Sequence, residues 1–268
     1  FNGKTIITNP MPSPGGTLIA FALKIISKKF PGEKIDNRLL TLGMRLAQIA
    51  RSEIISTKNR TNSLAEILSP SYFKRYLDLF DYEISLKPNK EKPGSGSTTH
   101  MSIIDSQGNA ASVTTTNGEG CGYIIPGTGI MMNNILGEED LNPDGFHNWE
   151  TTKRMSTMMS PTIVIGDSGP ELVLGSGGSN RIRSAIKQVI VNKFTKNMNL
   201  EEAIQAPRIH LEENIIHCES GINTAKLIFP WSTIHHWHEK NLFFGGVNAV
   251  TPTNAVGDPR RSGYGLVC

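Results

Sequence analysis

Apolar residues recur at helical spacing in the first third of the chain and alternate with polar ones in much of the rest. Leu18, Phe21, Ala22, Ile25 and Ile26 mark a helix over Thr17–Phe30, stopped by Pro31-Gly32. Leu40, Met44, Ala47 and Ala50 mark a second over Asn37–Ile54, and shorter helical pieces fit Ser63–Leu68 and Ser71–Phe80. Ahead of them Thr5-Ile6-Ile7 reads as a short strand. It leads into the turn-dense loop Asn9-Pro10-Met11-Pro12-Ser13-Pro14-Gly15-Gly16. The Pro-, Lys-, Gly- and Ser-rich stretch Lys87–Gly96 closes this third and predicts an exposed linker, open to cutting.

After the linker the period changes to two. Met101–Asp105 and Ala110–Thr116, about a turn at Gln107-Gly108-Asn109, predict a β-hairpin. Gly127–Asn134 reads as another strand. Thr162–Ile165 and Glu171–Gly175, about Gly166-Asp167-Ser168-Gly169, predict a second hairpin. A glycine-rich loop then opens a helix over Arg181–Phe194, with Ile182, Ile186, Val189 and Ile190 facing inward. Leu200–Gln205 is a short helix, and strands return around Leu242–Val250 and Gly263–Cys268. This order predicts an α+β fold, sheets in layers with helices outside. There is no internal repeat.

Composition narrows the function classes. The 268 residues are 38% hydrophobic and 19% charged, enough to bury a sizeable core. A net charge of +3 without a dense basic run argues against nucleic acid. No apolar run approaches the ~20 residues of a membrane span. Cys121, Cys218 and Cys268 are too scattered for a metal motif or a disulfide framework. The first residue is Phe1 and no signal-peptide pattern follows, so the compartment is not legible. Asn59-Arg60-Thr61 is a glycosylation sequon, a pattern short enough to recur by chance.

The candidate chemistry centres on Thr98, at the head of the first predicted hairpin and directly after the linker. A threonine hydroxyl becomes a nucleophile when a base takes its proton, and cutting the Ser97–Thr98 bond would free its own α-amine for that task. Otherwise Thr98 is an ordinary strand-end residue. Thr116, at the end of the partner strand, is placed to hold the Thr98 oxygen. The loop Gly175-Ser176-Gly177-Gly178-Ser179-Asn180 has three readings. It is a phosphate cradle at a helix N-terminus, an oxyanion hole built from the Gly178 and Ser179 N–H groups, or a tight strand–helix turn. The acidic run Gly137-Glu138-Glu139-Asp140 is a solvated loop or a site for a substrate ammonium group, with Glu119 a second candidate. His235-His236-Trp237-His238 lacks ligand-spaced partners and reads better as an aromatic cluster than a metal site. Gly257-Asp258-Pro259-Arg260-Arg261 reads as a turn whose ion pairs pin the C-terminal segment.

Taken together, these motifs resemble the γ-glutamyltransferases (γ-glutamyl transpeptidases, glutathione hydrolases) of the Ntn-hydrolase superfamily. The resemblance rests on Thr98-Thr99-His100-x-Ser102 with Asp105-x-x-Gly108-Asn109-Ala110, on Gly129-Ile130 to Asn133-Asn134, and on Met159-Ser160-Pro161-Thr162-Ile163-Val164. Further along it rests on Gly175-Ser176-Gly177-Gly178 with Arg181-Ile182, on Ala206-Pro207-Arg208 and on Asp258-Pro259-Arg260-Arg261, and upstream on Met11-Pro12-Ser13-Pro14-Gly15-Gly16. It spans nearly the whole chain in the family's order.

The resemblance implies a four-layer αββα sandwich of two stacked antiparallel sheets flanked by helices. It implies a precursor that cuts itself between Ser97 and Thr98. Residues 98–268 then correspond to the small subunit and 1–97 to the C-terminal part of the large one. The upstream part of the large subunit, including the arginine that grips the substrate α-carboxylate, lies outside this chain. Carried over by position, Thr98 is the nucleophile, Thr116 orients it, and the Gly178 and Ser179 amides form the oxyanion hole. Thr157 and Met158 fall where the family often has two serines contacting the carboxylate. Glu138 falls where an Asp is usual, and Ile135 where an amine-binding Gln or Glu is usual. Asn117 and Glu119 are both stand-ins for the family's asparagine after Thr116. A shortened Asn134–Ser160 segment implies a reduced lid.

The implied reaction is hydrolysis or transfer of a γ-glutamyl group, from compounds such as glutathione to water, an amino acid or a peptide, through a threonyl ester. It needs no metal or organic cofactor. Two alternatives stand beside it: an acylase of the same fold acting on glutaryl or cephalosporin-type amides, favoured by the altered Ile135, Thr157 and Met158, and an inactive relative kept as a scaffold.

Overall fold

A computed structural model describes residues 1–10, 13–56, 66–80, 97–138, 141–142, 145–148, 151–152 and 154–268. The linker Lys87–Gly96, the sequon, Met11-Pro12, the start of the Ser63–Leu68 piece, Glu139 and Asp140 lie outside these residues. Strands β1 (Thr5–Thr8), β4 (Thr162–Gly166), β5 (Gly169–Gly177), β9 (Gly246–Thr251) and β10 (Asn254–Val256) form one antiparallel sheet in that order. Strands β2 (Thr98–Ile104) and β3 (Ala110–Thr116) form a separate antiparallel hairpin, in register from Thr98↔Thr116 to Ile104↔Ala110. Strands β6 (Ile209–Glu212), β7 (Ile215–Cys218) and β8 (Thr233–His236) form a small sheet in which β7 and β8 run parallel.

Helices α1 (Pro14–Lys29), α2 (Asn37–Ser56), α3 (Pro70–Leu79), α4 (Arg181–Phe194) and α5 (Leu200–Gln205) match the predicted helices closely. Pro14 starts α1 where its missing N–H costs nothing. Asn199 and Glu202 close a reciprocal capping box on α5. Ile19, Leu23 and Ile26 of α1 and Ile182, Ile186 and Val189 of α4 share one core with Val164, Leu172, Leu174 and Val247 of the large sheet. Each such buried side chain contributes about 1.5–3 kcal/mol, so this face carries much of the stability. The opposite side of α1 packs through Leu18, Phe21 and Ile25 on Leu46 and Ala50 of α2 and on Phe73 and Tyr76 of α3. Among the described residues no helix is long and apolar enough to cross a membrane.

The β2–β3 hairpin covers the other face of the large sheet. Leu172 and Leu174 point at the helices, so alternation turns Gly175 and Gly177 toward the hairpin. A Cβ at Gly175 would lie 2.3 Å from the His100 ring, and one at Gly177 would lie 2.3 Å from the Thr98 carbonyl oxygen. Only glycine permits this approach. The hairpin is inside out: Thr98, His100, Ser102, Ser112 and Thr114 turn inward, while Met101 and Ile103 are 55% and 57% exposed. The inward groups are hydrogen-bonded to the sheet. Ser112 Oγ donates to Leu174 O (3.2 Å) and accepts from Thr162 N–H (3.1 Å), and Asn248 Nδ2 donates to His100 O (2.9 Å).

Two expected strands do not form. Within Gly127–Asn134 the only β pairing among the described residues is a single bridge, Ile124 to Met131. Ile130, Met131 and Met132 stay exposed there, with no sheet to bury them. Gly263–Cys268 has no strand either; its glycines lie against the backbone of Ala255–Gly257. Leu242–Phe244 is a 3-10 turn, and β9 starts only at Gly246.

Candidate active site

Thr98 stands on β2 where β2 presses on the end of β5. Its hydroxyl donates to Thr116 Oγ1 at 3.0 Å, the pairing that the strand register imposes. Thr116 Oγ1 also accepts from Gly118 N–H at 3.0 Å. These groups open on a cleft of about 700 Å³ whose walls include Ser97, Thr98, Thr116, Asn117, Glu119 and Gly177. Leu242, Asn248 and Arg261 close its other side.

His100 lies beneath Thr98, 3% exposed. Its Nδ1 is 2.8 Å from Thr114 Oγ1 and its Nε2 is 2.8 Å from Ser102 Oγ. Ser102 spends its proton on Asn248 O (3.2 Å), so His100 Nε2–H donates to Ser102 and Nδ1 accepts from Thr114. Every polar atom of the chain of groups is then satisfied with the ring neutral. Burial pushes the His100 pKa down to about 4, which keeps it so.

The turn Gly177-Gly178-Ser179 leads straight into α4, with Arg181 N–H donating to Gly178 O (3.0 Å) and Ile182 N–H to Ser179 O (3.1 Å). Gly178 (φ +121) and Ser179 (φ 50) both sit in the left-handed half of backbone space. The Arg261 guanidinium lies beside this turn, 3.5 Å from where a Gly178 Cβ would stand, and donates to Leu242 O at 3.2 Å. Burial first, and then Arg181, lowers the Arg261 pKa, with Asp258 opposing.

The other expected residues are spread more widely. Asn117 and Glu119 share the cleft with Thr98, while Glu138, Thr157, Met158, Gly178 and Ser179 are not among its lining residues. Met158 is buried with its backbone against Gly15, and Thr157 Oγ1 accepts from Met159 N–H. Glu138 closes a turn, its carbonyl accepting from Asn142 Nδ2. Gly177, Asn248 and Arg261 line the cleft without having been singled out. Gly177 stood in the glycine loop one position early. Arg261 was masked by its neighbour Arg260, which has a different task.

Arg260 belongs to a buried ion network. It pairs with Glu219 (2.5 Å) and Asp258 (3.3 Å), while Arg208 pairs with the other Asp258 oxygen (2.5 Å). Val247 N–H donates to Asp258 as well (2.9 Å), which ties the network to β9 at the cleft wall. Burial alone would raise the Asp258 carboxyl; Arg208 and Arg260, with the Val247 and Arg260 N–H groups, hold it below its usual range. The histidine run forms an aromatic cluster: the His235 ring lies 5.3 Å from His217, and Trp237 stacks on Phe243 at 4.9 Å. Among the described residues no group of three or more His, Cys, Asp or Glu is placed to hold a metal.

Antiparallel sheets stacked under helices, with a threonine heading a strand at their edge, define an Ntn-hydrolase fold. The chain belongs to the gamma-glutamyltranspeptidase family, whose model matches residues 1–268. It is 31% identical over 239 residues to the glutathione hydrolase proenzyme of Bacillus subtilis (strain 168), covering 78% of this chain and 40% of that protein. It is 33% identical over 261 residues to the acylase ACY 1 proenzyme of Pseudomonas sp. (strain SE83), covering 93% of this chain and 47% of that protein. The solved gamma-glutamyltranspeptidase from Pseudomonas nitroreducens complexed with L-DON superposes with a TM-score of 0.53 and 28% identity. That match covers 63% of this chain and 99% of the other. The chain thus spans about half the length of the curated relatives it matches.

Proposed function

We propose that this chain carries the nucleophile-bearing part of an enzyme that hydrolyses or transfers γ-glutamyl groups, compounds such as glutathione being the donors. The observation that carries the reading is the Thr98 hydroxyl at 3.0 Å from Thr116 Oγ1, at the mouth of a cleft and directly after a bond whose cleavage frees its amine. Cleavage between Ser97 and Thr98 separates 1–97, the C-terminal part of a large subunit, from 98–268, the small one. The freed α-amine takes the hydroxyl proton, and the oxygen attacks the γ-amide carbonyl. The N–H groups of Gly178 and Ser179, at the positive end of α4, receive the developing oxyanion. The leaving amine takes the proton, and a γ-glutamyl ester stays on Thr98. Water or an amino-acid or peptide amine then releases it. Glu119 and Asn117 are the candidates for the substrate ammonium group, and Glu138, Thr157 and Met158 are the remaining candidates for substrate contact.

The test is intact mass of the chain before and after a γ-glutamyl anilide. The parent chain is expected to split at Ser97–Thr98 and to gain a γ-glutamyl adduct, and Thr98→Ala to remain whole and unmodified. A split, active Thr98→Ala chain overturns the reading. A second reading, an acylase for glutaryl-type amides, is favoured by Met158, which is buried where a hydroxyl contact to substrate is usual. Faster release from a glutaryl than from a γ-glutamyl anilide selects it.

A further inference from the structure

The bond to be cut sits in a bulge of the hairpin. Beyond the pair Thr98↔Thr116, two residues, Asn117 and Gly118, stand opposite Ser97. Asn117 N–H donates to the Ser97 carbonyl at 3.2 Å, whereas Ser97 N–H donates past Asn117 to Gly118 O at 2.5 Å. The Asn117 carbonyl is occupied elsewhere, accepting from Asn134 N–H (2.9 Å) and Gly120 N–H (3.0 Å). Gly118 N–H folds back on Thr116 Oγ1, the oxygen that receives the Thr98 hydroxyl. Gly118 is buried at φ +65, and a Cβ there would lie 2.8 Å from the Asn134 carbonyl carbon and from Ile135 N. Glycine at 118 is therefore what allows the bulge, which moves the Ser97 N–H onto Gly118 O and keeps the ladder bond from Asn117 N–H to the Ser97 carbonyl oxygen.

We infer that the Asn117 backbone N–H, held by the strand register beside the Gly118 bulge, is the oxyanion donor for self-cleavage of the Ser97–Thr98 bond, a donor distinct from the Gly178 and Ser179 amides assigned to turnover. The inference rests on the reading of Thr98 as a self-cleaving nucleophile. The Thr98 oxygen bonds to the Ser97 carbonyl carbon, and the carbonyl electron pair moves onto the oxygen that faces Asn117 N–H. The C–N bond then breaks, and the hydroxyl proton ends on the Thr98 nitrogen. Ser97 is left esterified to Thr98. Water splits that ester, leaving a carboxylate on Ser97 and returning the hydroxyl to Thr98. Processing and turnover thereby use different donors for the same nucleophile, and each can be impaired alone.

The first-order rate of Ser97–Thr98 cleavage, followed by intact mass, tests this. Exchanging the Asn117 backbone amide for an ester removes one N–H and leaves the side chain in place; Gly118→Ala displaces the same N–H. Loss of one oxyanion donor is expected to slow cleavage by about 10²-fold in the ester chain, and displacement to slow it by about as much in Gly118→Ala. Thermal unfolding is measured alongside, because a bond with only a structural role lowers the midpoint without changing the rate in folded chains. Parent-rate cleavage in the folded ester chain overturns the inference and leaves the nucleophile reading standing. A parent chain that never cleaves overturns both.

Discussion

Gly177→Ala separates close packing from every other role of the glycine turn. Gly177 has an ordinary φ, so alanine meets no backbone penalty there. Its obstacle is β2: the new Cβ would lie 2.3 Å from the Thr98 carbonyl oxygen, 3.1 Å from its carbon and 3.4 Å from the Thr98 Cβ. The oxygen and carbon are backbone, so no rotamer change relieves the overlap. Restoring van der Waals contact requires the head of β2 to retreat by roughly 1 Å from β5. Overpacking of this kind costs about 1–3 kcal/mol in stability, and a displacement of about 1 Å at a reacting atom costs about 10² in rate. Urea unfolding reads the first figure, and mass spectrometry of cleavage and of the acyl adduct reads the second. Stability within about 0.5 kcal/mol of the parent, with both rates unchanged, would refute the claim that β2 is seated on the glycines of β5.

Three further outcomes follow from the geometry. Thr98→Ala leaves the chain uncut and free of adduct, as set out above. Asp258→Asn removes the charge that faces Arg208 and Arg260 in a fully buried network; it is expected to cost about 3–5 kcal/mol, read as a lower urea midpoint at unchanged slope. For His100, burial holds the folded pKa at about 4 against 6.5 for the free side chain, so the unfolded chain binds a proton that the folded chain refuses. Its contribution is complete above pH 6.5 and is lost as pH falls toward 4, by about 3 kcal/mol at that pH; denaturation across this window checks it, and His100→Asn should flatten the slope.

The elements easiest to read in the sequence were those whose period is enforced by burial. The helix over Arg181–Phe194 is observed at those same residues because Ile182, Ile186 and Val189 meet the sheet. The Thr98–Thr116 pairing was legible from the hairpin turn, which fixes register over its whole length. Ile130-Met131-Met132 are apolar without being a sheet strand, because a strand needs a sheet beside it and among the described residues this segment meets only the short stretch around Ile124. The sheet of β6, β7 and β8 was invisible: its strands have four residues each, and β7 pairs with β8 in parallel across a long connection. Within the site, Thr98, Thr116 and the glycine turn were legible because they are local. Asn248 and Arg261 reach the cleft only through the packing of β9 and the ion network behind it, which no local pattern encodes. Arg260 and Arg261 are chemically alike, and only the fold sends one into the network and the other to the cleft.

The inside-out hairpin has a consequence for how this site responds to temperature and solvent. Its docking face consists of hydroxyls, an imidazole and backbone groups, while Met101, Ile103 and Val113 are already in water. Detaching it from the large sheet therefore uncovers little apolar surface of its own, and the apolar surface freed on the sheet centres on Val173, buried on the same face as Gly175 and Gly177. Such an opening has a small heat-capacity change and a weak denaturant dependence, because both scale with surface exposed. Thr98 thus rides on an element attached largely through polar groups, unlike the apolar helix-covered core. The two faces of the large sheet are therefore expected to loosen differently on warming or in mild denaturant.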